Sequence, residues 1–209
     1  MEKNTCPTRQ STDTFIYWWG TNTNSKVLID PDDTCYPLND AVAAASSGDV
    51  LNLQKGTFTL TGVNYGLTIS VSLTIRGVKH GVDGRGRSTT GSNVASYTGA
   101  ADTEESTITC NCHTVIYVTA ASNVILDGLT ITSTYNGGDP HFGIKFFYAS
   151  AQSTQSHIVR NTIIRHLGNP AANIAGIVTG LYVGHYSNGV TIFQNEIRDL
   201  SVSAAIRGI

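Results

Sequence analysis

The sequence of 209 residues is short of charge, of proline and of methionine: charged residues make up 13%, with 5 Pro and 1 Met. It also lacks any apolar run long enough to cross a membrane, which excludes insertion by a helix. No basic run exceeds the spaced pair Arg85 and Arg87, and 13 Lys and Arg face 15 Asp and Glu for a net charge of −2. Duplex nucleic acid and anionic membrane surfaces are therefore poor partners. No hydrophobic region follows Met1-Glu2-Lys3, so no signal peptide is visible. No Asn-x-Ser/Thr acceptor occurs, and ordinary N-glycosylation is not expected.

What fills the chain instead is Gly, at 21 residues, together with Ser, Thr, Asn and β-branched side chains. These residues build turns and strands, and the length supports one core. Three segments resemble one another: "NVILDGLTITS" from Asn123, "SHIVRNTIIRHL" from Ser156 and "GVTIFQNEIRDL" from Gly189. With Leu126, Ile158 and Ile192 in register, Leu129, Asn161 and Asn195 coincide, as do Ile131, Ile163 and Ile197. Between the units lie "TVIYV" (114–118), "GIKFFYA" (143–149) and "GIVTGLYVG" (176–184), each reading as a strand. Such a step cannot bury its apolar side alone but can do so stacked on copies of itself. Before the repeats, "YPLNDAVAAASSGD" (36–49) has a Pro near its start and a Ser-Ser-Gly stop, the marks of one short helix that would cap the stack.

The run "NDAVAAASSGDVLNLQKGTFTL…SLTIRGVKHGVDGRGRS…ESTI…NVILDGLTI" resembles the opening of the right-handed parallel β-helix superfamily, the pectate-lyase-like proteins with parallel-helix repeats. The resemblance covers residues 36–209 and leaves 1–35 as an irregular N-terminal segment. It implies an all-β fold, a right-handed parallel β-helix of about five to six coils with a short N-terminal capping α-helix. It further implies that Asn161 and Asn195 stack as a structural ladder in matching turns, a place that suits Asn because its amide bonds neighbouring main chain. Function is less determined, since the superfamily holds lyases, hydrolases, tailspikes and non-catalytic surface proteins.

Family lyases use an Arg or Lys as base, with calcium or another cation on the uronate carboxylate, whereas hydrolases need paired carboxylates. With the repeats aligned as above, no outward column carries two acids. Arg165 and Asp199 fall at matching positions in neighbouring coils, and with Lys145 they are the candidates for a lyase site. A plain ion pair between Arg165 and Asp199 is the competing reading. Flat rings on a ridged face are platforms for sugars, and Tyr135, Phe147, Tyr182 and Tyr186 are the candidates for glycan contact.

Four cysteines complete the inventory. Cys6 and Cys35 flank the N-terminal segment, where a disulfide would contribute about 3 kcal/mol, with two buried thiols as the alternative. Cys110 and Cys112 in "TITCNCHTV" read as two small apolar side chains of a core column, because a metal would need further ligands that the spacing does not supply.

The two ends point toward assembly. Phe15, Tyr17, Trp18 and Trp19 make an N-terminal strand apolar on both sides, and the final "SVSAAIRGI" offers Ala205, Ile206 and Ile209 as a bare edge. The sequence is thus expected to be a non-catalytic extracellular or cell-surface structural protein that joins copies of itself head to tail and contacts polysaccharide. A polysaccharide lyase is the alternative.

Overall fold

A computed structural model of the chain describes residues 26–29, 37–85, 87, 104–135, 140–149, 155–167, 177–184, 186–187, 189–200 and 205–207. Strand β1 (Lys26–Ile29) and helix α1 (Leu38–Ala44) come first. Triplets of strands follow: β2 (Asp49–Leu53), β3 (Gly56–Leu60) and β4 (Tyr65–Ile69), then β5 (Leu73–Arg76), β6 (Ser106–Cys110) and β7 (Thr114–Val118). The third triplet is β8 (Val124–Asp127), β9 (Thr130–Ser133) and β10 (His141–Phe146), and the fourth is β11 (His157–Arg160), β12 (Ile163–Leu167) and β13 (Ile177–Val183). The last is β14 (Val190–Phe193), β15 (Glu196–Leu200) and β16 (Ala205–Arg207).

Each triplet, or circuit, sends one strand to each of three sheets. The first sheet runs β1-β2-β5-β8-β11-β14, the second β3-β6-β9-β12-β15 and the third β4-β7-β10-β13-β16. Neighbours pair in parallel throughout. Period-two alternation sends every second side chain inward, so the core is built of columns. Leu51, Ile75, Leu126 and Val159 stand side by side on the first sheet, Phe58, Ile108, Ile131 and Ile164 on the second, and Leu67, Ile116, Ile144 and Leu181 on the third. All of them are buried. Helix α1 adds Leu38 and Val42 to the same core.

The register differs by one residue from the one the sequence suggests. Val159, not Ile158, stands between Leu126 and Ile192, which makes both steps 33 residues. Ile158 and Val159 are both apolar, so hydrophobic pattern alone does not choose between them; the corner does. Gly128, Asn161 and Gln194 each follow the first-sheet strand directly and share left-handed dihedrals, with φ of 73°, 53° and 55°. Asn161 and Asn195 consequently occupy different places and do not stack as a ladder. Asn161 takes the left-handed corner and donates from Nδ2 to Asp127 Oδ1 at 2.7 Å. Asn195 bonds the adjacent circuit's main chain, accepting from Thr162 N at 2.9 Å and donating to the Val159 carbonyl at 2.7 Å.

Two other expectations change. Strand β1 lies inside the segment expected to be irregular and pairs with β2. Cys110 and Cys112 form a disulfide with Cα atoms 5.4 Å apart. Two residues of one strand would point the same way without meeting, but β6 ends at Cys110 and the bend at 111–113 folds Cys112 back onto it.

Candidate functional site

The outer face of the third sheet carries a row of rings. Register places Thr68, Tyr117, Lys145 and Tyr182 in one column across four circuits. Tyr65 stacks on Tyr117 with centroids 4.3 Å apart and planes 12° from parallel. Further along, Phe142 lies against Tyr182 at 5.2 Å. Lys145 sits in the midst of them, its Nζ 4.7 Å from the centre of Phe142, 5.2 Å from Phe147 and 5.8 Å from Tyr182. Gly184 leaves the room these rings use, because a Cβ there would meet the rings of Tyr182 and Phe147.

Strand geometry explains the row. Parallel neighbours are about 4.8 Å apart, which suits contact between rings in adjacent circuits. Lys145 is half-buried, and burial holds its ammonium below the usual lysine pKa. Among the described residues no carboxylate and no hydrogen-bond acceptor reaches Nζ. The rings attract it through their quadrupoles, yet its three N–H donors are left for a ligand. Such a ridge can stack the apolar faces of sugar rings and donate hydrogen bonds to hydroxyl or acidic groups.

The expected site residues are thus divided. Phe147, Tyr182 and Lys145 come together on the ridge, joined by Tyr65, Tyr117 and Phe142. Tyr135 instead belongs to the corner between the second and third sheets, with its hydroxyl 2.7 Å from His113 Nε2 and its ring 5.4 Å from that of His141. Tyr186 is 51% exposed on the corner after β13, and its carbonyl accepts from Gln155 Nε2 at 3.0 Å. Arg165 pairs in register with Arg198 rather than with Asp199, and only 5% of it is exposed. The strand register thus sets Asp199 one position along from the place opposite Arg165 that the repeat alignment gives it. Phe15, Tyr17, Trp18, Trp19, Ile209, Cys6 and Cys35 lie outside the described residues. Ala205 and Ile206 belong to β16, which pairs with β13.

A second charged region occupies the corner between the first and second sheets. Residues 77–85 lie across the turns of successive circuits: Gly77 N donates to the Asp127 carbonyl, Gly81 N to Asp127 Oδ1, and Gly84 N to the Gln194 carbonyl. Gly84 is required there, because a Cβ would press on the carbonyls of Gln194 and Thr162. Arg87 ends this strap in a buried ion pair with Glu105 at 2.9 Å, with side chains 5% and 2% exposed. Its remaining donors reach the carbonyls of Asn161, Leu129 and Val82. Asp127 accepts from Arg160 Nε at 2.8 Å as well as from Asn161 and Gly81. Burial opposes its ionisation, but these three donors outweigh burial and hold its pKa below the ordinary carboxylate value.

Two histidines are buried neutral. Burial pushes His157 down to about 4. Its Nδ1 accepts from Val124 N at 3.1 Å, so Nε2 carries the proton and donates to Tyr148 Oη at 2.7 Å, and that hydroxyl donates to the Ala121 carbonyl at 2.8 Å. His141 is also pushed to about 4, by burial and then by the charge of His113, and among the described residues neither of its ring nitrogens has a hydrogen-bond partner.

Among the described residues no group of three or more His, Cys, Asp and Glu is placed to hold a metal ion, and no helix is long and apolar enough to cross a membrane. The strap's ion pair, the disulfide and the company around Lys145 are not readable from spacing. The "GVKHGVDGRGR" insertion, with its closely spaced glycines, is the one signal that a segment passes tightly over backbone there. Comparison with protein-family models, with curated proteins and with solved structures finds no match for this chain.

Proposed function

We propose that this chain is a right-handed parallel β-helix of extracellular or cell-surface type, capped by α1, which serves as a non-catalytic structural protein and holds a glycan along the third-sheet ridge. The solenoid reading is supported by the return, from β2 onward, of every third strand to the same sheet, at even steps of 33 residues in its later circuits. The glycan reading rests on one observation: Phe142, Phe147 and Tyr182 surround the Lys145 ammonium in line with the stacked pair Tyr65 and Tyr117. A glycan chain would lie along the stacking direction and meet a new ring at each circuit.

Affinity electrophoresis against a panel of neutral and acidic soluble polysaccharides tests this. Wild-type protein is retarded by at least one polymer, and Tyr117→Ala and Tyr182→Ala migrate freely in the same gel. Equal retardation of the variants, or none of the wild type across the panel, sinks the reading.

A specific observation favours a second reading, a polysaccharide lyase. Burial lowers the Lys145 pKa, which is how an amine becomes a general base near neutral pH. Lys145 would take the proton on the carbon beside a uronate carboxyl, and the glycosidic oxygen at the β position would leave with the bonding pair, giving an unsaturated end. New ultraviolet absorbance on incubation with uronate polymers, lost in Lys145→Met, supports the lyase. Retardation without absorbance supports the binder.

A further inference from the structure

A groove of about 370 Å³ opens on the other side of the molecule from the ridge, beside the first sheet. Asn52, Gln54 and Lys55 line it from one circuit, and Arg76, Val78 and His80 from the next. Asn52 and Arg76 are register partners, and the buried Leu51, Leu53 and Ile75 that flank them in sequence fill the core, so both side chains lie on the outer face. The lining includes Lys55, Arg76 and His80 but no Asp or Glu.

Arg76 is the residue that needs explaining. Its register neighbour in the next circuit is Asp127, but that carboxylate is already taken by Arg160, Asn161 and the Gly81 N–H. Among the described residues no hydrogen bond or ion pair reaches the Arg76 guanidinium. Among the described residues Lys55 has only Glu104, at 3.2 Å with side chains 60% and 64% exposed, a pairing that water already loosens and a better anion can replace. His80 Nδ1 donates to the Gly77 carbonyl at 2.9 Å, so Nε2 of the neutral ring is an acceptor and the donors of the groove are those of Arg76, Lys55 and the Asn52 and Gln54 amides.

We propose that this groove binds a tetrahedral oxyanion carried on a small molecule, a phosphate or sulfate ester. The planar fork of Arg76 pairs with two of its oxygens, Lys55 adds a point charge, and the amides of Asn52 and Gln54 bind the remainder. The groove is of ordinary ligand-site size, large enough for a sugar phosphate or sugar sulfate. This site is independent of the ridge and its glycan.

The test uses the full chain in ¹H–¹⁵N correlation spectra, titrated with inorganic phosphate, inorganic sulfate, a hexose 6-phosphate and a hexose 6-sulfate at constant ionic strength set by chloride. Saturable shifts of the Gly77 and Val78 amides and of Arg76 Nε–H are expected, with the esters tighter than the free ions. Binding weakens about tenfold in Arg76→Gln, less in Arg76→Lys, which keeps the charge without the fork, and is unchanged in Lys145→Met. A response to phosphates alone identifies a phosphate ester, and a response to sulfates alone a sulfate ester. Shifts that fail to saturate, or that persist undiminished in a folded Arg76→Gln, overturn the proposal. Should Arg76→Gln not fold, undiminished binding in Arg76→Lys and in Lys55→Gln together overturns it.

Discussion

Asp127 and Lys145 are both charged, both on the outer side of a parallel sheet and both partly or wholly covered, yet their surroundings have little in common. Asp127 has three donors and a strap laid over it. Lys145 has three rings and, among the described residues, no acid. The strapped corner spends its polar groups on one another and on main-chain carbonyls. The ridge keeps its ammonium and the faces of its rings available. Satisfied charge here belongs to the architecture, and an ammonium with no acid among half-buried rings is the feature on which the proposed ligand surface rests.

The largest effect should come from breaking the strapped corner. Removing one member of a buried pair leaves the other charged and unpaired, so Arg87→Met or Glu105→Leu should cost about 3–5 kcal/mol. The double variant should recover part of that loss, because no lone charge is then left in the core. Urea denaturation measures all three, and a double variant no better than the worse single would show that Arg87 acts through its carbonyl contacts rather than through Glu105. Ridge binding, read by affinity electrophoresis on whichever variants remain folded, should be unchanged.

The next effect is on pH. His141 and His157 titrate near 4 when folded and near 6.5 when unfolded, so the unfolded chain binds more protons between these values. Stability from both is complete above about 6.5 and is lost as pH falls toward 4, on the order of 2–3 kcal/mol for each group. Asp127, whose folded pKa is depressed, adds a further loss below the ordinary carboxylate range. Denaturation midpoints should stay level from pH 8 to about 6.5 and fall from there to pH 4, and His141→Phe should flatten that fall by removing an imidazole that has no hydrogen-bond partner among the described residues. An unchanged slope in that variant would mean that His141 is not buried neutral. The ridge, with no histidine among its residues, should bind equally well at pH 7 and pH 6.

How much of this contrast can be read in the sequence depends on distance along the chain. The strands, the short helix and the corners come from local signals: alternation in "TVIYV", the Pro before Leu38, and Gly or Asn where the chain turns. The step between Ile158 and Val159 is ambiguous because both are apolar, and that one-residue slip carries Arg165 from Asp199 to Arg198. Cys110 and Cys112 read as a strand pair because nothing in "TITCNCHTV" shows that the strand ends between them. Arg87 and Glu105 stand on either side of a long insertion, and no periodicity links them. Phe147, Tyr182 and Lys145 are visible as residue types, but only the pairing of β7, β10 and β13 makes them neighbours of Tyr117.

The smallest effect on stability is the sharpest test of the comparison. An ammonium over aromatic rings gains about 0.5–2 kcal/mol from them, depending on how dry the site is. Partial burial works against the same charge, as its lowered pKa shows, and the two terms oppose each other. Replacing Lys145 with Met keeps the length and apolar stem that pack on Phe142 and Phe147, and removes only the charge. Urea denaturation of Lys145→Met should therefore fall within about 0.5 kcal/mol of wild type, while retardation by acidic polysaccharide drops sharply. A loss above about 2 kcal/mol would place Lys145 with Arg87 as part of the architecture. A cation that the fold can lose without cost, held among rings with no acid beside it among the described residues, is what the proposed glycan ridge requires.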